Sequence, residues 1–261
     1  MDQKIVQKLI KLNSEFYQTF ASHFSATRQR LQSGVQQVIK TLPAEAHILD
    51  LGCGNGELAR VLATKEFRGR YLGLDFSAGL LEIARQGVAR KPNFTFVQGD
   101  LGDAWEKIMG GGQRAVGSEL SDGSNHSQST VSNSPFTIIL SFATFHHLPG
   151  RALYLQNYLK IHSLLAPEGR FIHSNWQFLN SERLRQRIQP WSEIGVTEAE
   201  VDPGDYLLDW RQGGRGLRYC HFFSAAELNE LAAETGFKVV DSFYSDGEGG
   251  NLGLYQVWKK R

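Results

Sequence analysis

Cysteine is scarce in this chain: among 261 residues only Cys53 and Cys220 occur, far apart. Neither stands in metal-ligand spacing, so a disulfide framework and a bound metal are not expected, and a reducing, cytoplasmic setting fits best. Excess charge is missing too. With a net charge of +1 the chain has no global pull toward nucleic acid or anionic membranes, and DNA is not an expected partner. No run of about 18 apolar residues occurs, so no membrane-spanning helix is expected. The first residues lack the apolar core of a secretory signal. No Gly-Lys-Ser/Thr follows the glycine-rich turn described next, which excludes a phosphate-cradling P-loop.

What is present begins at Ile48-Leu49-Asp50-Leu51, an apolar run that passes into Gly52-Cys53-Gly54-Asn55-Gly56 and then into a helical pattern from Glu57. This reads as a buried parallel strand turning sharply into a helix, the place where such sheets bind ligands. Glycine lets a ligand approach the backbone and accepts φ > 0. A dinucleotide fold would place its third glycine at position 57, but Glu57 stands there and Gly56 comes one residue early. Two further apolar runs end in acids, Tyr71–Asp75 and Phe94–Asp100. Asp75 lies about twenty residues beyond the turn, where nucleotide-binding α/β folds place the carboxylate for ribose hydroxyls.

An acid before a Gly-x-Gly-x-Gly turn, with acids closing the next two strands, resembles the class I S-adenosylmethionine (SAM) methyltransferases. The resemblance implies SAM as cofactor, held around Asp50, Gly52, Cys53, Gly54, Gly56, Asp75, Phe76, Asp100, Leu101 and Ser141. Strands are expected to start at His47, Tyr71, Phe94, Phe136 and Gly169, with two more near Lys238 and Leu252. Helices alternate between the first five, which predicts a doubly wound α/β sheet. The family adds an antiparallel last strand, giving seven strands, mostly parallel. Residues 1–45 read as a helical cap, with Ile5, Leu9, Leu12, Phe16 and Phe20 at helical spacing, and 46–261 as the catalytic domain. Leu80, Leu81, Ile83, Ala84 and Val88 are expected on one buried helix face.

Two insertions interrupt the pattern. In 110–134, twelve of 25 residues are glycine or serine, which predicts a disordered loop. Residues 179–222 carry six arginines and seven acids and would fall over the C-terminal edge of the sheet as a substrate lid. Trp191 and Trp210 within it suit either core packing or stacking on a base.

Three further segments resemble the tRNA wobble-uridine carboxymethyl methyltransferases, which form a methyl ester. These are His23-Phe24-Ser25 with Thr27-Arg28, the pair His146-His147 after the fourth strand, and Arg218-Tyr219 with His221 followed by Glu227-Leu228. The resemblance implies tRNA as substrate and a small zinc-binding activator subunit as partner. A carboxylate acceptor is already ionised and needs orientation by a cation rather than a base. Arginine's planar fork suits that role. Arg28 is the first expectation, supported by Arg218, with His23, Tyr219 and His221 around the acceptor. If the acceptor is a phenol, amine or hydroxyl, His146 or His147 would serve as base. The lysine-rich lid insertion of the eukaryotic members is missing here. A small carboxylic acid, another small-molecule O- or N-methyl acceptor, or a SAM-binding scaffold without chemistry therefore stand as alternatives.

Overall fold

The computed structural model describes residues 1–27, 30–105 and 135–261, with the backbone alone for 21–27. The segment 110–134 lies outside the described residues. Two helices, α1 (Gln3–Thr27) and α2 (Ser33–Ile39), precede the sheet. On α1 the side chains of Leu9, Phe16, Tyr17 and Phe20 recur with helical period and are buried, so the helix has one face committed to packing. Asn13 lies on that same face. Its amide donates to Tyr219 O at 3.1 Å and accepts from Tyr219 N at 2.8 Å, pairing with the chain as a neighbouring strand would.

The main sheet contains β1 (His47–Leu51), β2 (Arg70–Asp75), β3 (Phe94–Gln98), β4 (Phe136–Phe142), β5 (Leu165–Trp176), β9 (Phe237–Ser245) and β10 (Gly253–Lys260), in the order β3-β2-β1-β4-β5-β10-β9. The first five run parallel, and β10 is antiparallel to both its neighbours. Helices α3 (Glu57–Thr64), α4 (Ala78–Gly87), α5 (Arg151–Leu164) and α7 (Ala225–Glu234) connect or flank these strands. Alternate residues of β1 enter separate cores: Leu49 and Leu51 join one apolar cluster, Ile48 the other. Burial on both faces is the mark of a parallel sheet covered on both sides.

Two expectations need correction. On α4, Leu80, Leu81 and Ala84 are buried together with Val88, but Ile83 is 41% exposed and takes no part in that face. Strand β5 starts at Leu165 rather than Gly169, because Phe136 pairs with Leu165 and Ile138 with Arg170, leaving 166–169 as a bulge in the ladder.

The 179–222 segment contains one helical turn, α6 (Glu182–Arg185), and a three-stranded antiparallel sheet, β6 (Ile188–Gln189), β7 (Asp205–Trp210) and β8 (Gly216–His221). Its apolar residues Trp191, Val196, Leu207 and Tyr219 pack with Leu9 of α1. Trp191 is therefore a core residue. Among the described residues, no helix is long and apolar enough to cross a membrane.

Candidate active site

Strand order reverses between β1 and β4, and in an open parallel sheet the crevice at that switch point is where ligands bind. A cavity of about 310 Å³ opens there, lined by the turn after β1, the ends of β2 and β3, and the α1 residues Asn13 and Tyr17. The turn is pinned to β2 by Gly52 N–H and Cys53 N–H, which donate to Leu74 O at 2.7 and 3.1 Å. Gly54 has φ +55°, and a Cβ built on it would meet nothing within 4 Å, so this residue leaves the space beside it open. At Gly52 (φ +77°) a Cβ would strike Thr144 Oγ1 at 2.3 Å. Two glycines therefore act differently: one keeps a cradle bare, the other lets β1 and β4 close up.

The cavity wall is acidic. Asp75 Oδ2 accepts from Gly54 N–H and Oδ1 from Ser77 N–H, both at 2.9 Å, and each oxygen retains a lone pair for a further donor. Burial raises the Asp75 carboxyl above the usual carboxylate range despite those amides. Asp50 lies deeper, receives the Tyr71 hydroxyl, and is pushed up to about 7, first by burial, with the Asp75 charge adding to it. Asp100 and Glu57 also face the cavity, Glu57 paired with Arg60; among the described residues the cation on the wall is Arg30. Cys53, Phe76 and Leu101 complete the expected residues that line it. Gly56 and Ser141 do not. Gly56 starts α3 against Ala84, and Ser141 is buried within the sheet.

A second cavity, about 460 Å³, adjoins the first, and the two share Leu31, Gln32, Ala143 and His147. Ala143 has a left-handed φ of +53° just after β4, a conformation costly for a residue with a Cβ. His147 Nδ1 lies 3.2 Å from the carbonyl of Tyr219, and its Nε2 lies 2.6 Å from the Tyr17 hydroxyl. A carbonyl only accepts, so Nδ1 carries the proton and Nε2 accepts from Tyr17. His146 is buried beside it, and its Nδ1 accepts the Trp176 N–H at 3.4 Å.

The far wall of the second cavity holds Arg218, Arg183 and Arg187, against the carboxylate of Asp246. Asp246 accepts from Gly34 N–H and the Tyr255 hydroxyl. Arg218 is only 7% exposed, and its guanidinium sits over the rings of Trp176 (4.8 Å), Phe16 (5.4 Å) and Trp210 (5.6 Å). Its Nε has no hydrogen-bond partner among the described residues. An aromatic cage can hold a cation, but buried donors are costly until something accepts from them.

Tyr219 and His221 line neither cavity, contrary to expectation. Both are consumed internally: Asp205 Oδ1 accepts from the Tyr219 hydroxyl at 2.6 Å and from His221 Nδ1 at 2.7 Å, and His221 Nε2 donates to Glu227 at 3.0 Å. Burial works against the charged ring, but the two carboxylates outweigh it and bring the His221 pKa to about 9. This network fastens the three-stranded sheet to α7. Arg28 lies outside the described residues, as does the side chain of His23, whose backbone belongs to α1. Sequence reasoning missed Tyr17, Trp176, Arg183, Arg187 and Ala143 as cavity residues. Tyr17 sits within the Phe16 and Phe20 stripe and reads as core, while the two arginines carry no motif.

A glycine turn flanked by carboxylates, at the switch point of a seven-stranded sheet with one antiparallel strand, defines the class I SAM-dependent methyltransferases. A family model for the methyltransferase domain matches residues 23–242, and the chain belongs to that family. SAM is its cofactor. A protein of Encephalitozoon cuniculi described as a methyltransferase is 26% identical over 228 residues, 87% of each chain. Trans-aconitate 2-methyltransferase of Acidovorax is 37% identical over 33% of this chain and 31% of its own. The ALKBH8 tRNA (carboxymethyluridine(34)-5-O)-methyltransferase of Macaca fascicularis is 35% identical over 28% of this chain and 10% of its own. Among solved structures, the complex of the Haloferax volcanii Trm112 methyltransferase activator with a methyltransferase matches with a TM-score of 0.60 at 16% identity, covering 94% of this chain and 95% of that one. The glycopeptide N-methyltransferase MtfA, solved with S-adenosylhomocysteine, matches with 0.55 at 16% identity, covering 87% of each. Against this chain the cofactor fits on chemical grounds: the cradle at Gly54 is open, Asp75 has lone pairs to offer, and the wall is acidic toward a cationic ligand.

Proposed function

We propose that this methyltransferase acts in the cytoplasm and esterifies a carboxylate on a modified wobble uridine of tRNA. The observation that carries the reading is Arg218, a buried guanidinium in an aromatic cage, without a carboxylate partner among the described residues, on the wall of the cavity that adjoins the cofactor's. In this reading Asp75 holds the ribose hydroxyls, Phe76, Asp100 and Leu101 frame the base, and Asp50, Gly52 and Gly54 bound the rest of the cofactor. SAM supplies a methyl group on a positively charged sulfur. Arg218 turns the acceptor carboxylate toward that methyl, with Arg28 assisting. His147, held by Tyr17 and the Tyr219 carbonyl, keeps the passage between the cavities at a fixed width. No general base is required, because the acceptor arrives ionised, and His146 and His147 serve as walls. Joining a cation to an anion cancels charge, so exclusion of water by Trp176, Trp210 and α1 favours the step.

The partial likeness to the macaque tRNA enzyme supports the nucleic-acid acceptor. The likeness to trans-aconitate 2-methyltransferase supports a second reading, a small carboxylic acid. A small activator subunit is part of the proposal, supported by the Haloferax complex. The test is incubation with labelled SAM and bulk tRNA, including tRNA from a strain lacking wobble esterification, followed by mild base. Label released as methanol is expected. Base-stable label, or none on any tRNA, overturns the proposal.

A further inference from the structure

The six arginines of 179–222 fall into two sets. Arg185 pairs with Glu182, Arg211 with Asp209 at 2.6 Å and Arg215 with Glu193 at 3.3 Å, and none of these three lines the second cavity. The other three, Arg183, Arg187 and Arg218, all line it, and among the described residues none has a carboxylate within ion-pair distance. Charge is therefore paired off at the three arginines outside the cavity, while inside it three arginines face the single carboxylate of Asp246, none of them in an ion pair among the described residues. Three positive charges set against one negative charge repel on balance, so the arrangement is stabilised when anions arrive.

One anion does not satisfy all three. Arg218 is buried and caged on three sides by rings, leaving room for a small anion at its donors. Arg187 is half-buried and Arg183 exposed, so they stand nearer the mouth. A cavity of about 460 Å³ is also larger than a lone carboxylate needs and falls in the range of nucleotide-sized ligands. Arginine's fork matches phosphate as well as carboxylate.

We propose that the second cavity takes an acceptor with two anionic groups: its carboxylate goes to Arg218 and a phosphate of the same nucleotide to Arg183 and Arg187. This deepens the tRNA reading and rests on it.

The test is binding, measured by calorimetry on the full chain saturated with S-adenosylhomocysteine. The probes are 5-carboxymethyluridine and its 3′,5′-bisphosphate. The native chain is expected to bind the bisphosphate about tenfold or more tightly than the nucleoside, the ratio that one charge-assisted contact supplies. In Arg183→Gln/Arg187→Gln that ratio should collapse toward one, while Arg185→Gln/Arg215→Gln, which removes two outward-facing paired arginines, should preserve it. Equal binding of both probes by the native chain, no binding of either, or equal collapse in both variants overturns the proposal. So does a tricarboxylic acid that replaces the bisphosphate with the same dependence on Arg183 and Arg187, since it moves the second anion from phosphate to carboxylate. Failure of the ester reading shows differently, as absent or base-stable label on tRNA.

Discussion

On the sheet side of His147 the cavity wall carries Asp50, Glu57, Asp75 and Asp100 against Arg30; on the lid side it carries Arg183, Arg187 and Arg218 against Asp246. The two chambers have opposite polarity and meet at Ala143 and His147. A cationic methyl donor suits the first and an anionic acceptor the second. The acids come from consecutive strand ends of a fold shared by many methyltransferases, while the arginines come from the 179–222 segment. In the proposed reading, donor and acceptor recognition are built from separable parts of the chain, and each part can be broken alone.

The largest effect is expected from unfastening the three-stranded sheet from α7. His221→Gln leaves Asp205 and Glu227 without their shared cation, and breaking a buried pair in this way costs about 3 kcal/mol or more. The measurement is the urea midpoint together with SAM affinity. A large loss of stability with SAM affinity little changed would sharpen the comparison; intact stability would break the anchoring argument. Because the folded pKa of His221 is raised to about 9, its contribution is full below the ordinary histidine value and fades as pH rises through 9.

Next is Asp75→Asn, which keeps the shape and one acceptor but removes the charge. SAM affinity should fall by about 1.5–3 kcal/mol, with methyl transfer at saturating SAM largely retained. Unchanged affinity would remove Asp75 from the donor chamber's chemistry.

A third effect is the pH response of Asp50. Its carboxyl titrates at about 7 in the folded chain and near the ordinary carboxylate value when unfolded. The folded state therefore binds the extra proton between those values, and ligand-free stability should fall as pH rises across that window. A cationic ligand favours the ionised form, so SAM affinity should rise with pH, by up to about tenfold per unit below 7. Asp50→Asn should flatten both trends. A pH-independent SAM affinity in the native chain would contradict the acidic-chamber argument.

Much of the donor chamber was legible because its signals are local. The run into Gly52 and Gly54 needs only neighbouring residues to be read, and strand ends at Asp75 and near Asp100 follow from apolar runs that stop at an acid. The alternation of 251–258 likewise pointed to the antiparallel last strand, which the structure places at Gly253–Lys260. The acceptor chamber is non-local. Arg183 and Arg187 face it only because α6 and β6 fold back over the end of β5, and nothing in their spacing says so. Tyr219 and His221 sit beside Arg218 in sequence, yet side chains alternate along β8. Arg218 faces the cavity, while Tyr219 and His221 meet Asp205 in the interior. Ile83 shows the same limit on a helix, where an apolar residue off the buried stripe stays exposed.

The most direct test of the two-chamber claim is Arg218→Met, which removes the charge while keeping the cage filled. SAM Kd and single-turnover methyl transfer to tRNA are measured on the same preparation. The expected result is an almost unchanged Kd with transfer reduced by about 10- to 100-fold, the worth of one lost charged contact. Undiminished transfer, or a fall in SAM affinity that matches the fall in transfer, would contradict the assignment of Arg218 to a separate anionic acceptor chamber.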